Sequence, residues 1–557
     1  MSKFIFITGG VVSSLGKGIV AASLGNILQN EGFSVKIKKL DPYLNIDPGT
    51  MNPIQHGEVF VTNDGGETDL DLGHYERFTG CFSSKKDNIT SGRIYQNLLI
   101  KERRGDYIGK TVQVVPHVTN LVKEFIIQDV EKYDFVICEI GGTVGDIEGQ
   151  AFLESIRQIR NELSRTKTMS IHVTLLPYIA ASSEIKTKPT QNSIKELMSY
   201  GIMADVIVCR TSMPINENDK MKISAFCNVD VKNVIEAPDV KNIYEIPIIY
   251  AKNGLGKSVL NHFNLYQNKN LFEKNLIPWQ DFLNKTYNTT KMVKIAIVGK
   301  YTASKDAYKS LIEAIYHASI SMGVKPEIYF IDSRNITNQA DAKSNLQNYK
   351  CVVIPGGFGA DGVIGKIECI KYCRENNLPM LGICLGMQLS VIEFARNVAK
   401  LNVTSAEFDN LFDNFTGAKN IVDIMKYWKK DDGGFEARDE VSTIGGTMRL
   451  GSYIANIKPN TLAHKIYQQD EIKERHRHRY EVDIKYKDEL EKFGGIFSGI
   501  SPDGNLPEIF EIQSFENENG DITKLDFCIS VQFHPEFNSN PLKPNILFIN
   551  LLKSCDE

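Results

Sequence analysis

The sequence predicts an α/β protein with two doubly wound domains, each built on a mostly parallel sheet. Its 557 residues are too many for one hydrophobic core and suit two domains of about 250 residues. Short apolar, β-branched runs alternate with longer amphipathic segments in both halves, which is typical of βα units whose strands are buried on both faces. The predicted strands are residues 4–8, 34–40, 134–140, 204–209, 246–250, 293–298, 326–331, 350–354 and 379–383.

A break in this alternation indicates how the chain is organised. Between residues 252 and 291 the sequence becomes rich in Asn and Lys and shows no clear strand, which predicts a linker. A new strand begins at Val293, so we expect a first domain at 1–266, a linker at 267–291 and a second domain at 292–557. Farther along, the polar run 431–434 (Asp-Asp-Gly-Gly) predicts a surface hairpin or loop.

The composition is that of an ordinary globular protein, with 42% hydrophobic and 24% charged residues. The net charge of −4 provides no large basic field for nucleic acid or an anionic membrane. No run approaches the ~20 apolar residues of a membrane span, and the first residues lack the pattern of a secretory signal. The ten cysteines form no Cys-x-x-Cys pair, and Cys138, Cys209 and Cys528 lie in apolar runs, so we expect reduced thiols in a cytoplasmic protein.

Residues 4–18 have the order of a strand, a phosphate-binding loop and the start of a helix. The strict motif has four residues between its glycines and a Ser or Thr after its Lys. Here five residues separate Gly10 from Gly16, and Gly18 follows Lys17. Backbone N–H groups in such a loop still face an anion at the helix N-terminus, and Lys17 can reach the outer phosphates. A flexible glycine turn without a ligand is the alternative.

Because Gly18 carries no hydroxyl, a metal bound with the nucleotide must take oxygen ligands from elsewhere in the chain. The candidates are Asp71, in the run Glu-Thr-Asp-Leu-Asp-Leu-Gly-His (67–74), and Glu139, at the end of a predicted strand. Mg²⁺ is usually held by one or two carboxylates together with phosphate oxygens and water, which fits this pair.

Three further segments carry groups that bind anions. Lys39 ends the second predicted strand, and residues 186–191 (Lys-Thr-Lys-Pro-Thr-Gln) place two cations and two hydroxyls in a loop restrained by Pro189. This loop is a candidate second triphosphate site, although such a run taken alone is more often a solvated loop. Residues 141–148 directly follow the strand of Glu139, so they lie at the carboxyl end of the sheet, where open α/β folds bind ligands.

In the second half, residues 382–386 (Gly-Ile-Cys-Leu-Gly) have the form of a nucleophile elbow between a strand and a helix. The glycines permit the sharp turn that exposes Cys384, and the helix N-terminus favours its thiolate. His534 follows an apolar run and can act as the base, with Glu536 orienting its imidazole. The loop 355–359 (Pro-Gly-Gly-Phe-Gly) offers N–H donors to an oxyanion. A core cysteine and an unrelated His-Pro-Glu turn are the alternative.

From residue 2 to about 545 the chain resembles the CTP synthase family. The matching strings include Thr-Gly-Gly-Val-Val-Ser-Ser-Leu-Gly-Lys-Gly (8–18), Glu-Ile-Gly-Gly-Thr-Val-Gly-Asp-Ile-Glu (139–148), Lys-Thr-Lys-Pro-Thr-Gln (186–191), Gly-Ile-Cys-Leu-Gly-Met-Gln (382–388) and Arg-His-Arg-His-Arg-Tyr-Glu-Val (475–482). Chance or fold similarity alone does not produce so many long strings in order. The resemblance implies a P-loop-like amidoligase domain followed by a class I glutamine amidotransferase domain.

The resemblance also implies the reaction. ATP phosphorylates O4 of UTP, which turns a poor leaving group into a good one, and ammonia from glutamine displaces the phosphate to give CTP, the final step of de novo CTP synthesis. Because free ammonia is mostly protonated at neutral pH, we expect an enclosed passage for it between the domains.

The family's functional residues carry over where the motifs match. The triad is Cys384, His534 and Glu536. The residues implied for ATP are Ser14, Leu15, Gly16, Lys17, Gly18, Ile19, Asp71, Asp239 and Val240, with Mg²⁺ on Asp71 and Glu139. Those implied for UTP and CTP are Ser13, Asp146, Ile147, Glu148, Lys186, Thr187, Lys188, Pro189, Thr190, Gln191 and Lys222. Those implied for glutamine are Gly357, Leu385, Gly386, Met387, Gln388, Glu407 and Arg479.

The role of Arg479 follows from the resemblance alone, since the run 475–479 (Arg-His-Arg-His-Arg) by itself favours a basic surface patch. Two positions depart from the family. An Arg that helps GTP to activate glutamine hydrolysis is replaced by Asp361, whose charge opposes a triphosphate, and Pro238 stands where a Lys often lies near the adenine. The resemblance further implies feedback inhibition by CTP, a homotetramer, and no nucleic-acid or membrane partner.

Two other functions compete with this interpretation. One is another ATP-dependent ligase coupled to an amidase, which would form no CTP from UTP. The other is a non-catalytic assembly protein, which the presence of Cys384, His534 and Lys17 disfavours.

Overall fold

The computed structural model describes residues 2–408, 411, 417–424, 427–429, 435–437, 448–517 and 519–555. The chain divides into two units, Met1–Pro48 with Asp71–Leu283, and Gly49–Leu70 with Asn284–Glu557. The second unit therefore includes a segment from the first half of the sequence. The predicted boundaries at 266 and 292 stay a prediction, and the loop predicted at 431–434 lies outside the described residues.

In the described part of the first unit, a parallel seven-stranded sheet forms the centre. Its strands are β1 (Lys3–Gly9), β2 (Val35–Asp41), β3 (Asn88–Thr90), β4 (Phe135–Ile140), β5 (Thr168–Leu175), β6 (Val206–Thr211) and β7 (Val234–Pro238). They lie in the order β7-β6-β5-β1-β4-β2-β3, and every neighbouring pair is parallel. Phe4, Ile5, Phe6 and Ile7 of β1 are all buried, so both faces of the sheet are covered and the strand is apolar throughout.

Helices follow most of these strands, as expected for βα units. They are α1 (Lys17–Asn30), α2 (Asp71–Thr79), α3 (Ser91–Arg104), α4 (Thr119–Ile127), α5 (Gln150–Leu163), α6 (Lys188–Ser199), α7 (Glu217–Cys227), α8 (Ile246–Lys252), α9 (Leu255–His262) and α10 (Lys269–Asn288). A short strand pair, Tyr178–Ile179 with Glu184–Ile185, lies between β5 and α6.

One predicted strand is wrong. Residues 246–250 form the first part of α8, and Pro247 lies in its first turn, where the missing N–H group costs no helical hydrogen bond. Five apolar residues are compatible with a strand or a buried helix, so the run alone does not distinguish them.

The segment predicted as a linker is largely helical. Leu276, Trp279 and Leu283 of α10 are buried at a helical spacing, and Trp279 Nε1 donates a hydrogen bond of 2.8 Å to Tyr244 O. The polar composition of the segment hides this apolar stripe, because most of the residues around it are exposed.

The second unit is built on a mixed sheet. Within the described residues its strands are β8 (Met292–Gly299), β9 (Lys325–Asp332), β10 (Cys351–Ile354), β11 (Met380–Ile383), β12 (Arg449–Ile457), β13 (Glu471–His478), β14 (Gly495–Ile500), β15 (Pro507–Ile512) and β16 (Cys528–Val531). The order is β9-β8-β10-β11-β16-β15-β14-β12-β13. The first five strands are parallel, and the remaining pairs are antiparallel.

Its helices are α11 (Lys309–Ser321), α12 (Gln339–Leu346), α13 (Val363–Glu375), α14 (Leu385–Asn397), α15 (Leu462–Tyr467), α16 (Lys487–Glu491) and α17 (Ile546–Lys553), with a short helix at Pro53–His56. Smaller strand groups are Phe60–Val61 with Glu67–Thr68; Val403–Ser405, Lys419–Ile424 and Tyr480–Val482; Tyr427–Lys429 with Phe435–Ala437; and Ser514–Glu516 with Ile522–Lys524. No helix in the described chain is both long and apolar enough to span a bilayer.

Candidate active sites

Cys384 lies at the sharp turn between β11 and α14. Its backbone has φ 55° and ψ −106°, a strained conformation of the kind that clusters at functional sites. The helix can follow at once because Gly386 has no side chain: a Cβ there would lie 2.2 Å from Ile354 O. The predicted elbow is therefore present. The Cys384 thiol is buried and donates a hydrogen bond of 3.6 Å to Arg477 O.

His534 and Glu536 lie beside this turn. The two atoms His534 Nδ1 and Glu536 Oε1 are 2.7 Å apart. Burial opposes the protonated imidazole, but the Glu536 carboxylate and the charge of Cys384 outweigh burial and raise the pKa of His534 to about 10. The glycine-rich loop 355–359 approaches Cys384 and His534 closely at Gly356, where a Cβ would lie 3.0 Å from His534 Cε1 and 3.5 Å from Cys384 Cβ. The structure thus brings all three predicted residues together.

The glycine-rich loop that follows β10 is held by charged side chains that the sequence analysis did not single out. Lys366 donates a hydrogen bond of 2.7 Å to Pro355 O, and Lys300 donates one to Phe358 O. Burial, assisted by the charge of Lys300, lowers the pKa of Lys366 to about 7. A lysine in the first turn of the helix after a glycine-rich loop is the signal that would have identified it.

Several of the residues predicted to hold glutamine contact the glycine-rich loop or directly follow Cys384. Glu407 Oε1 accepts a hydrogen bond of 2.6 Å from Gly359 N, and burial raises the pKa of Glu407. Gln388 Nε2 donates to Tyr480 O at 2.9 Å, and the half-buried Arg479 interacts electrostatically with Glu407. The other predicted residues at this site are Gly357, Leu385, Gly386 and Met387, of which the last three lie buried in the first turn of α14.

The run 475–479 is not a basic surface patch, so that interpretation is wrong. Arg475, His476 and His478 of β13 are each at most 1% exposed. Successive residues of a strand point to opposite faces, so His476 and His478 face one way, where each contacts a glutamate, and the arginines face the other. Burial lowers the pKa of both histidines well below the usual value.

The arginines hold the segment Gly49–Leu70 to the second unit. Arg475 donates hydrogen bonds to Asn63 Oδ1 at 2.6 Å and to Val61 O at 3.0 Å. Arg477 donates to Glu67 Oε1 at 2.9 Å and to Gly49 O at 3.2 Å. Through this attachment the segment contributes to the cavity beside the thiol, whose lining includes Pro53, Glu58, Val59, Tyr301, Phe358, Cys384 and His534.

In the first unit, the loop after β1 has the geometry of an anion-binding nest. Val11, Ser14 and Gly16 have φ of 82°, 57° and 89°, so the backbone winds tightly ahead of α1. Lys17 Nζ donates to Gly142 O at 2.6 Å, and burial lowers the pKa of Lys17. The structure therefore places the predicted loop, Lys17 and the segment after β4 together.

The position of Asp71 explains why a glycine, and not a Ser or Thr, follows Lys17 in the phosphate loop. A Cβ on Gly18 would lie 2.0 Å from Asp71 Oδ1. The carboxylate of Asp71 thus occupies the place that a Ser or Thr side chain would take after the lysine. The departure from the strict motif and the predicted role of Asp71 have one structural cause.

Asp71 and Glu139 converge on Lys39. Lys39 Nζ is 2.5 Å from Asp71 Oδ2 and also contacts Glu139 Oε2, which accepts a hydrogen bond of 3.0 Å from Tyr75. Lys39, predicted as an anion-binding group, is thus held by carboxylates. Glu139 Oε1 is buried and has no hydrogen-bond partner among the described residues. Such an oxygen is a suitable ligand for a hard cation, so the pair fits Mg²⁺.

In the described chain no group of three or more His, Cys, Asp and Glu side chains forms a metal cluster. The remaining ligands of Mg²⁺ would therefore be phosphate oxygens and water, as is usual for this ion.

Ser13 and residues 146–148, which are predicted for UTP and CTP, follow the carboxyl ends of parallel strands, where such sheets bind ligands. Ser13 is exposed in the loop after β1, and Asp146, Ile147 and Glu148 are exposed after β4. Asp146 Oδ2 accepts a hydrogen bond of 2.9 Å from Thr143 N. Lys222 is exposed on α7.

Residues 186–191 are only in part the loop that was predicted. Lys188, Pro189, Thr190 and Gln191 form the first turn of α6, because Pro189 suits that turn. Thr187, Thr190 and Gln191 are buried, whereas Lys186 and Lys188 are exposed. Lys186 forms an ion pair with Glu184, and Lys188 Nζ lies 5.6 Å from the centre of the Phe226 ring.

Arg210 is a further residue that the sequence analysis missed. Its side chain donates hydrogen bonds of 3.0 Å to Asp239 Oδ1 and 3.1 Å to Ser14 O. It thereby connects two segments predicted to bind ATP, the phosphate loop and the turn of Asp239 and Val240 after β7. Its position near the end of a parallel strand was the available signal.

Comparisons with known proteins identify the family of this chain. The family model described as CTP synthase N-terminus matches residues 3–265, and the model described as glutamine amidotransferase class-I matches residues 303–554. A CTP synthase of Pelagibacter ubique is 53% identical over 556 residues, which covers 100% of this chain and 99% of the relative. A CTP synthase of Bartonella henselae is 50% identical over 559 residues, with the same coverage.

Among solved structures, the glutaminase domain of a Trypanosoma brucei CTPS with bound acivicin is 32% identical, with a TM-score of 0.39. The match covers 47% of this chain and 94% of that domain.

Proposed function

Because the chain belongs to the CTP synthase family, we propose that its second unit releases ammonia from glutamine and its first unit uses it to aminate UTP. The family's enzymes are glutamine-hydrolysing carbon–nitrogen ligases that form CTP, and this chain is an enzyme of that kind. The observation that carries the residue assignments is the strained Cys384 beside a His534–Glu536 pair whose atoms are 2.7 Å apart.

Cys384 is the nucleophile. Its thiolate attacks the amide carbon of glutamine, and His534, which holds the thiol proton, passes it to the departing ammonia. Glu536 orients the imidazole and stabilises its charge, in agreement with the raised pKa of His534. Water then hydrolyses the glutamyl thioester, with His534 taking and returning the proton, to give glutamate.

Backbone N–H groups stabilise the oxyanion formed in both steps. Gly357 and Leu385 provide the N–H donors, and the buried Lys366 keeps the loop of Gly357 in place through Pro355 O. Glu407 and Arg479 bind the amino and carboxylate groups of glutamine, respectively, because an Arg fork pairs well with a carboxylate. Gly386, Met387 and Gln388 line the site.

In the first unit, Lys17 and the N–H groups of residues 14–19 bind the phosphates of ATP. Asp239 and Val240 contact the nucleoside. Asp71 and Glu139 hold Mg²⁺, which neutralises phosphate charge when bound. Lys39 forms ion pairs with both Asp71 and Glu139 and so keeps the two carboxylates close to each other.

UTP, and CTP as a feedback inhibitor, bind at Ser13, Asp146, Ile147, Glu148, Lys186, Thr187, Lys188, Pro189, Thr190, Gln191 and Lys222. The exposed lysines at the start of α6 face the triphosphate. Phosphorylation of O4 by ATP creates the leaving group that ammonia displaces. Ammonia reaches UTP within the enzyme, which keeps it unprotonated.

The proposed setting is a cytoplasmic homotetramer without nucleic-acid or membrane partners. GTP is the family's activator, but the exposed Asp361 interacts with Lys300 and Arg334 and lowers the positive charge that a triphosphate needs. We therefore expect little or no activation of glutamine hydrolysis by GTP.

Two variants test whether glutamine hydrolysis and UTP amination take place at separate sites. Cys384→Ala should abolish CTP formation with glutamine and leave CTP formation with added ammonia within about twofold of the unmodified enzyme. Lys17→Ala should reduce CTP formation with either nitrogen source and spare glutamine hydrolysis. Loss of the ammonia-dependent reaction in Cys384→Ala would contradict two separable sites.

A further inference from the structure

The segment that carries two of the three triad residues is a tight turn, His534–Ser539, which we call the catalytic turn. It begins where His534 N donates a hydrogen bond of 2.7 Å to Arg475 O of β13. A single 3₁₀ turn, Pro535–Asn538, follows, and Ser539 N donates to Glu536 O at 3.4 Å. The orientation of His534 and Glu536 therefore depends on what holds this turn.

Glu474 holds the turn from behind. It precedes Arg475 in β13, is only 6% exposed, and takes no part in the cavity beside Cys384. Its Oε2 accepts a hydrogen bond of 2.5 Å from Asn538 Nδ2, and its Oε1 accepts one of 3.4 Å from Tyr467 OH. Two consecutive residues of β13 thus form hydrogen bonds with the catalytic turn. The carbonyl of Arg475 binds its first residue, His534, and the side chain of Glu474 binds Asn538 near its end.

Other contacts fix the remainder of the turn. Ser539 Oγ lies 3.1 Å from His317 Nδ1 and accepts a hydrogen bond of 3.3 Å from Asn545 N. The ring of Phe537 stacks on the imidazole of His534, with 5.3 Å between ring centroids. Because these contacts remain when the Glu474–Asn538 bond is broken, its loss should shift the turn rather than unfold it.

We propose that Glu474 is a positioning residue for glutamine hydrolysis, which acts through Asn538 to keep His534 directed at Cys384. A catalytic group that is misplaced by about 1 Å can lose ~10²-fold in rate, so a hydrogen bond behind the turn has a large effect on the chemistry. Glu474 and Asn538 do not line the cavity beside Cys384. Loss of the hydrogen bond between them should therefore lower kcat for glutamine hydrolysis and leave KM unchanged.

Burial raises the pKa of Glu474 to about 7, while the hydrogen bonds from Asn538 and Tyr467 favour the ionised carboxylate. The carboxylate is the form that accepts both bonds. A reversed pair, with an amide at 474 and a carboxylate at 538, restores one of them with the donor and acceptor exchanged.

The test exchanges the carboxylate and the amide between positions 474 and 538. The rate of glutamine hydrolysis is measured as glutamate release. Asn538→Asp places two carboxylates together and should lower kcat at least about tenfold, with KM within about twofold. Adding Glu474→Gln to that variant should recover kcat to within about threefold of the unmodified enzyme. Glu511→Gln is the matched control, because Glu511 is also fully buried in the sheet but accepts from Leu462 N and Ala463 N, and its kcat should stay within about twofold.

Ammonia-dependent CTP formation reports on the first unit, so the fold of the second unit is checked by thermal unfolding, and each variant should unfold within about 3 °C of the unmodified enzyme. If Asn538→Asp fails this criterion, Asn538→Ala replaces it: a drop in kcat of at least about fivefold supports the inference and one below about twofold overturns it. No recovery in the double variant also overturns it. The inference rests on the proposed triad, which His534→Asn tests separately: hydrolysis that survives this change refutes the triad itself, whereas its loss leaves the triad standing whatever Glu474 does.

Discussion

Gly18 is the position at which the phosphate loop departs from the strict motif, and Gly18→Ser restores the motif while creating a clash. A Cβ there would lie 2.0 Å from Asp71 Oδ1, whereas ordinary contact begins at 3.4 Å, so the carboxylate must move by about 1.4 Å. That movement breaks the 2.5 Å contact between Asp71 and Lys39. Because a displacement of about 1 Å can cost ~10²-fold, we expect ammonia-dependent CTP formation to fall at least about 100-fold.

The assay is CTP formation with ATP, UTP and ammonium at increasing Mg²⁺. Glutamine hydrolysis without nucleotides reports on the second unit and should be unchanged. The steric control is Gly149→Ala, since a Cβ on Gly149 has no atom within 4 Å and its φ of −85° suits any residue. Gly18→Ser with more than about a third of the original rate would refute the claim that Asp71 stands in place of the motif's hydroxyl.

Three other expectations follow from single contacts. Gly356→Ala should lower glutamine hydrolysis about tenfold or more and spare ammonia-dependent synthesis, because the added methyl lies 3.0 Å from His534 Cε1; equal loss of both activities would contradict this. Burial lowers the pKa of Lys366 from 10.5 to about 7 in the folded protein. Lys366 is therefore protonated in the folded and the unfolded chain below pH 7, whereas above pH 7 it stays protonated only in the unfolded chain. Raising the pH from 7.5 to 9 should therefore stabilise the fold relative to Lys366→Met by up to about 1.4 kcal/mol per unit in denaturant titrations, and parallel pH profiles would refute it. Trp279→Ala should lower the free energy of unfolding by about 3–5 kcal/mol, and a change below about 1 kcal/mol would show that α10 is not packed as described.

Most strands were predictable because buried parallel strands are continuous apolar runs, as β1 and β8 show. The local sequence also predicted the sharp turn at Cys384, because such a turn needs small residues on both sides. The run 246–250 failed because five apolar residues do not determine a period, and only the proline in its first turn distinguishes the helix.

What sequence did not reveal depends on contacts between distant residues. Gly49–Leu70 belongs to the second unit because Arg475 and Arg477 bind it across more than 400 residues of chain. The same arginines alternate with buried histidines, so a run that composition assigns to the surface lies largely inside. Glu474 was equally hidden, because its partner Asn538 is 64 positions away.

Transfer of the glutamine amide nitrogen to UTP tests the central claim most directly. The purified enzyme would be given glutamine labelled with ¹⁵N at the amide, together with ATP, UTP, Mg²⁺ and an excess of unlabelled ammonium, and the CTP analysed by mass spectrometry. We expect ¹⁵N on the cytosine amino group, enriched over the bulk ammonium pool, and no label with Cys384→Ala. CTP that carries no ¹⁵N with the unmodified enzyme would contradict it.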